Sequence, residues 1–169
     1  DRPCMPTASR TCSNCDAGKY STTINAADCK ACPAGTMFQG QSGKSQCDSC
    51  RQCQPGTAEI SPCMAKSDRG CSTCAAGTYS NTINSGTCTG CSAGETFQDL
   101  SNATSCHACK TCDAGHFSVV ACSTRTQIEC VECAPGSYAL AGNTNKSCTG
   151  CPTGRYQTEG AKDSCSVCR

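Results

Sequence analysis

The sequence has no tryptophan, and only four tyrosines and three phenylalanines among 169 residues. A chain so poor in large apolar side chains cannot bury enough surface to offset the entropy of ordering its backbone. One large hydrophobic core is therefore excluded. Long apolar runs are missing too, so no segment reads as a membrane span and no direct membrane insertion is expected. The opening residues, Asp1-Arg2-Pro3-Cys4, do not resemble a signal peptide, and a secreted protein would carry this sequence as a mature segment. An excess of one charge is absent as well. With 14 basic and 13 acidic residues scattered along the chain, the formal net charge is +1, which leaves no electrostatic footprint for nucleic acid or an anionic membrane.

Chemistry-bearing patterns are equally scarce. The sequence has no glycine-rich phosphate loop, no calcium loop of alternating aspartates, and no serine accompanied by a repeated histidine and acid. Its two histidines, His107 and His116, have no counterparts in the rest of the chain and read as surface residues. Neither an enzyme nor a bound cofactor is expected.

What the sequence does have is cysteine, 23 of them, without which the 37% hydrophobic content would fall well short of a core. That density marks either a disulfide scaffold in an oxidising compartment or a series of metal-binding thiolates. The cysteines are periodic. Cys4, Cys63 and Cys122 lie 59 residues apart, as do Cys12, Cys71 and Cys130, and Cys15, Cys74 and Cys133. The register slips by one residue through Cys29, Cys88 and Cys148 and recovers at Cys47, Cys106 and Cys165. Self-similarity at a fixed period is the mark of a tandem array, here dividing the chain into cysteine-rich repeats 1–59, 60–118 and 119–169. Cys168 matches Cys50 and Cys109, but the counterpart of Cys53 and Cys112 would fall past Arg169, so the last repeat is short. The expectation is a sequence cut from a longer array, or one completed by a neighbouring chain.

A shorter pattern runs inside each repeat: cysteine, then glycine three positions on, at Gly18, Gly35, Gly56, Gly77, Gly94, Gly115, Gly136 and Gly154. Every aromatic follows one of these glycines by two or three residues: Tyr20, Phe38, Tyr79, Phe97, Phe117, Tyr138 and Tyr156. Glycine supplies the positive φ of a tight turn, and the ring is the one large apolar group available to lie against the adjacent bridge. Each module is thus expected to have one ring as its miniature core. Runs such as Gly77-Thr78-Tyr79-Ser80 suit short strands in hairpins, and no segment keeps a helical period.

Pairs such as Cys12/Cys15 and Cys71/Cys74, and the triplets Cys47/Cys50/Cys53 and Cys106/Cys109/Cys112, also match the spacing of zinc-ribbon ligands. Three observations weigh against zinc. Cys63 and Cys122 stand alone between a triplet and the next pair, histidine is not repeated, and two acceptors for N-linked glycan occur, Asn102-Ala103-Thr104 and Asn145-Lys146-Ser147. Disulfides and a secretory route are therefore expected, with covalent glycans and no metal. Spacing alone does not choose among the many possible pairings.

Cys50-x2-Cys53-x2-Gly-x6-Cys63-x7-Cys71 and its copy from Cys109 to Cys130 resemble the crossed two-disulfide module of tumour-necrosis-factor receptor cysteine-rich domains. The segments Cys74-x2-Gly-x-Tyr to Cys88, Cys133-x2-Gly-x-Tyr to Cys148 and Cys151-x2-Gly-x-Tyr to Cys165 resemble the single-loop partner module, also found in ephrin-receptor-like cysteine-rich repeats. The resemblance implies pairing of Cys15 with Cys29, Cys32 with Cys47, Cys50 with Cys63, Cys53 with Cys71, Cys74 with Cys88 and Cys91 with Cys106. Further along it implies Cys109 with Cys122, Cys112 with Cys130, Cys133 with Cys148 and Cys151 with Cys165. Cys4, Cys12 and Cys168 are left over. Two single-loop modules follow each crossed one, so the likeness is to modules and not to any receptor's layout.

The expected fold is small and disulfide-rich, with little regular secondary structure beyond short β-hairpins, strung into an elongated rod because each module can touch only its neighbours. It is expected outside the cell or on its surface. Two functions remain open. One is structural: a disulfide-stapled rod, stalk or fibre segment that contacts neighbouring copies of itself and glycans. In its favour, Tyr20-Ser21-x-Thr23-Ile24-Asn25 recurs as Tyr79-Ser80-x-Thr82-Ile83-Asn84, and Phe38-Gln39 as Phe97-Gln98, and repeated surface residues suit repeated contacts. The alternative is the ligand-binding ectodomain of a receptor, which would concentrate a distinctive apolar patch on one repeat. No such patch is evident from the sequence.

Overall fold

The computed structural model describes residues 14–23, 28–143 and 146–169. The chain forms two compact units, one of Asp1–Gln54, Ala58–Ser72 and Ile83–Gly86, the other of Pro55–Thr57, Thr73–Thr82 and Thr87–Arg169. Among the described residues there is no helix; the regular structure is eight two-stranded hairpins. In the first unit β1 (Lys19–Tyr20) pairs with β2 (Lys30–Ala31), and β3 (Met37–Phe38) with β4 (Asp48–Ser49). The hairpin of β5 (Thr57–Ser61) and β6 (Gly70–Thr73) belongs to the first crossed module. In the second unit β7 (Thr78–Tyr79) pairs with β8 (Thr89–Gly90), and β9 (Thr96–Phe97) with β10 (His107–Ala108). The longer β11 (His116–Val120) and β12 (Glu129–Glu132) follow, then β13 (Ser137–Tyr138) with β14 (Thr149–Gly150), and β15 (Arg155–Tyr156) with β16 (Ser166–Val167).

Two-residue strands are marginal by themselves, and each hairpin is held by sulfur. Ten disulfides join Cys15–Cys29, Cys32–Cys47, Cys50–Cys63, Cys53–Cys71, Cys74–Cys88, Cys91–Cys106, Cys109–Cys122, Cys112–Cys130, Cys133–Cys148 and Cys151–Cys165. The bridged residues lie 13 to 18 positions apart in sequence, and closing a loop of that size stabilises by roughly 3 kcal/mol through loop-closure entropy. Cys168 is free and exposed. Cys4 and Cys12 lie outside the described residues.

Among the described residues the buried ones include ten half-cystines, Cys53, Cys74, Cys112 and Cys133 most completely, together with Ala58, Ala139, Gln39, Ser80, Gln98, Ser118 and the turn glycines Gly18, Gly56, Gly77 and Gly115. The aromatic rings are only half-buried, and Tyr156 is exposed. A ring as the core of each module is therefore corrected: after Phe38, Tyr79, Phe97, Phe117 and Tyr138 the buried residue is the one that follows the ring. Side chains alternate across a strand, so when the ring lies on the outer side of its hairpin its successor lies on the inner one.

Those buried successors are polar yet satisfied. Gln39 donates from Nε2 to Gln46 O at 3.0 Å and accepts from the Gln41 amide at Oε1, 3.1 Å. Gln98 repeats this with Ser105 O at 2.9 Å and the Leu100 amide at 3.0 Å, and Gln157 repeats it again with Ser164 O and the Glu159 amide. The repetition of Phe38-Gln39 as Phe97-Gln98 thus serves the interior. So does Ser80, whose hydroxyl turns back on Thr82 O. Reading Gln39, Gln98 and Ser80 as surface contacts is corrected as well, while Thr82 and Ile83 of the recurring motif are exposed and Ile24 and Asn25 lie outside the described residues.

Neighbouring modules are joined by main-chain bonds. The amides of Gly18, Gly56, Gly77, Gly115 and Gly136 each donate, at 2.7 Å, to the carbonyl of the residue that follows the ring in the next module: Gln39, Ser80, Gln98, Ala139 and Gln157. A second bond returns. The carbonyls of Cys15, Cys53, Cys74, Cys112 and Cys133 accept from the amides of Gly43, Asn84, Asn102, Gly142 and Ala161 at 2.7 to 3.0 Å. All five of those donors have positive φ, between 56° and 73°, which turns the N–H back toward the preceding module.

Candidate interaction surface

The two crossed modules share one disulfide pattern and one internal hydrogen-bond scheme. In the first, Asp68 Oδ1 accepts from the amides of Arg51 and Arg69 at 2.8 and 2.7 Å. In the second, 59 residues on, Gln127 Oε1 accepts from the amides of Lys110 and Ile128, both at 2.9 Å. An oxygen at this position is required by the turn; its charge is not.

Around that common frame the surfaces differ. The first crossed module is laced by ions: Arg51 Nε pairs with Asp68 Oδ2 at 2.9 Å, and Arg69 Nη1 with Glu59 Oε2 at 3.1 Å. Arg69 also donates from Nη2 to Gly35 O at 3.2 Å. The hydrogen bond from Arg51 holds the Asp68 carboxyl below its ordinary range. In the second crossed module the same positions are Lys110, Gln127, Ile128 and Ser118, and both ion pairs are gone.

Other positions of the hairpin become more apolar. Ser61 and Ser72 of the first module become Val120 and Val131 in the second, and Ile60 becomes Val119. Val119, Val120 and Val131 are 49%, 39% and 42% exposed on a two-stranded sheet. Across the ladder Phe117 faces Val131 and Val120 faces Glu129, with a bulge between Ser118 and Val120 that adds twist and turns Val119 outward. Exposed Glu129 and Glu132 flank the valines. The first crossed module has exposed Ile60 and Met64, and carries Ser61 and Ser72 where the second has Val120 and Val131. Three valines are thus exposed on this hairpin, where the first crossed module has Ile60 and two serines. Sequence inspection missed this because the valines are scattered over a dozen positions and only the ladder brings them together.

The other predicted site residues are placed as follows. The twenty named cysteines are all in bridges. Asn102 is exposed at a junction, and Asn145 lies outside the described residues. His107 packs its ring against Phe97 with centroids 5.7 Å apart, and His116 Nδ1 meets Ala114 O at 3.1 Å. No helix among the described residues is long and apolar enough to cross a membrane.

Residues 32–71, which hold one single-loop and one crossed module, match the family described as TNFR/NGFR cysteine-rich region. The modules are tumour-necrosis-factor-receptor-like cysteine-rich repeats. The chain is 30% identical over 120 residues to tumor necrosis factor receptor superfamily member 4 of Mus musculus, covering 64% of this chain and 42% of that protein. It is 35% identical over 170 residues to signal peptide, CUB and EGF-like domain-containing protein 2 of Mus musculus, covering 91% of this chain and 15% of that protein. The chain thus spans less than half the length of either relative. Repeats of this tumour-necrosis-factor-receptor-like kind are extracellular, disulfide-dependent modules.

Proposed function

We propose that this chain is a ligand-binding segment of an extracellular or cell-surface protein, and that the β11–β12 hairpin of the second crossed module contacts a protein ligand. The observation that carries the reading is the divergence of surface over a constant interior. Among the residues that recur between repeats, Gln39, Gln98 and Ser80 are internal, whereas on the hairpins of the two crossed modules Ser61 and Ser72 are exchanged for Val120 and Val131 and both ion pairs are lost. A repeat that must meet copies of itself would keep its outer face; a repeat that meets one partner concentrates apolar surface where the partner sits. Acidic Glu129 and Glu132 beside the valines suit a ligand with an apolar centre and a basic rim.

The competing reading, a stalk or fibre segment built by self-association, draws its support from the near-constant 59-residue period. The two readings part in solution. Sedimentation equilibrium on the purified, oxidised chain, paired with negative-stain microscopy, should return a monomer at every concentration. Filaments with an axial repeat would replace the receptor reading by the fibre one.

A further inference from the structure

We propose that Asn102 carries an N-linked glycan, and that the junction around it, beyond the acceptor triplet Asn102-Ala103-Thr104, is what leaves its amide free to hold one.

Five junction residues donate their backbone amide to the leading cysteine of the preceding module: Gly43, Asn84, Asn102, Gly142 and Ala161. Two of them are asparagines, and their carboxamides do different things. At Asn84, Oδ1 accepts the Cys53 amide at 2.9 Å, so the side chain is committed to the joint. At Asn102 that role is already filled, because the corresponding amide, that of Cys74, donates to Gly56 O at 2.9 Å. The Asn102 carboxamide is drawn into no hydrogen bond among the described residues.

Its placement follows from the glycine opposite. Gly56 has φ of 88°, and Asn102 O and Oδ1 lie 2.5 and 2.6 Å from the point where a Cβ on Gly56 would stand. Only a glycine lets Asn102 come so close. The oxygen side of the planar amide is against that glycine, on a residue that is itself exposed. The backbone is fixed on both sides: the Asn102 amide bonds Cys74 O at 2.8 Å, and Ala103 O accepts from the Ser80 amide at 3.1 Å. Thr104 is exposed.

The chemistry is a group transfer without redox change. A bond forms between Asn102 Nδ2 and the anomeric carbon of the sugar, the bond from that carbon to the diphosphate of a lipid-linked oligosaccharide donor breaks, and the amide proton leaves to a base of the transferase. The proposal rests on the extracellular reading for its route alone, and makes no use of the β11–β12 surface.

The test is glycopeptide mass spectrometry on the chain secreted from eukaryotic cells behind an added leader, with a control acceptor in a fused tag. The expected result is glycan on Asn102, lost in Thr104→Ala and in Asn102→Gly, the latter keeping the left-handed backbone and its bond to Cys74. A second arm tests the junction itself. Gly86→Thr creates an acceptor at Asn84, on a glycine with open space around it, and occupancy there should be several-fold lower than at Asn102. Unmodified Asn102 beside a glycosylated control overturns the proposal, and equal occupancy at Asn84 and Asn102 overturns the part assigned to the junction. Neither outcome bears on whether the chain binds a ligand, which the sedimentation experiment addresses separately.

Discussion

Asn84 and Cys53 bond each other twice: the Asn84 amide donates to Cys53 O at 2.8 Å, and the Cys53 amide donates to Asn84 Oδ1 at 2.9 Å. One residue thereby imitates a rung of β-ladder between two modules, using a side-chain oxygen where a carbonyl would otherwise be needed. It does so at φ of 56°, a region that asparagine tolerates better than most residues. Asn84→Ala should cost about 2 kcal/mol, from one lost hydrogen bond and a left-handed alanine. Asn84→Gly should recover the backbone part and lose only the bond. Hydrogen exchange at the Cys53 amide reads this directly, and equal losses in the two variants would remove the backbone half of the argument.

Two turn glycines allow the effect of crowding to be separated from that of conformation. Gly115 has φ of 78°, and the backbone of Ala161 occupies the place where a side chain would stand; Gly136 has φ of 83° with open space. Gly136→Ala should lose about 1–2 kcal/mol from the left-handed conformation alone. Gly115→Ala adds a main-chain collision and should lose clearly more, opening the joint to residues 157–161. Thermal unfolding of the oxidised variants gives the ordering, and equal losses would remove the crowding assigned to Gly115.

Acid should act on one crossed module and spare the other. Arg51 lowers the folded-state pKa of Asp68, so the stabilisation from this carboxylate is complete above its unfolded value, about 3.9, and disappears as pH falls through the lowered folded value. Gln127, which fills the same role in the second module, does not titrate. In an NMR pH series the Arg51 and Arg69 amides should move below pH of about 4 while those of Lys110 and Ile128 stay still. Parallel movement in all four would contradict the assignment.

Interior and exterior repeats should respond differently to substitution. Gln98→Leu strands Ser105 O and the Leu100 amide and should cost about 1–3 kcal/mol. Ile83→Ser, at an exposed position of a recurring motif, should stay within about 0.5 kcal/mol. If the two were equally harmless, Gln98 would not be holding the loop from residue 98 to residue 105.

Sulfur chemistry offers a further check. Alkylation of the denatured, unreduced chain in the presence of a chelator should label Cys168 and leave the twenty bridged cysteines unmodified. Extensive labelling before reduction would restore the zinc alternative raised by the CxxC spacing.

How far the sequence could be read depended on what each feature requires. Hairpins and turns were legible because glycine at a fixed distance from cysteine answers a local need for positive φ. The pairing of Cys50 with Cys63 across Cys53 came from resemblance, since spacing permits many alternatives. Burial was misjudged at Phe38 and Gln39: hydropathy favours the ring, but a two-residue strand aims the following side chain at the sulfur, and the amide of Gln39 can satisfy both of its ends there. The apolar surface at Val119, Val120 and Val131 was illegible because it depends on register, which a bulged strand does not declare in its residue order.

The left-handed donors at Gly43, Asn84, Asn102, Gly142 and Ala161 have a consequence for how such a chain can change. Each joint is fastened by peptide groups, and its demand on identity is slight enough that glycine, asparagine and alanine all serve. Whole cassettes can accordingly be duplicated, deleted or transplanted without reworking the fasteners, and the outward-facing side chains are left at liberty to drift toward new tasks.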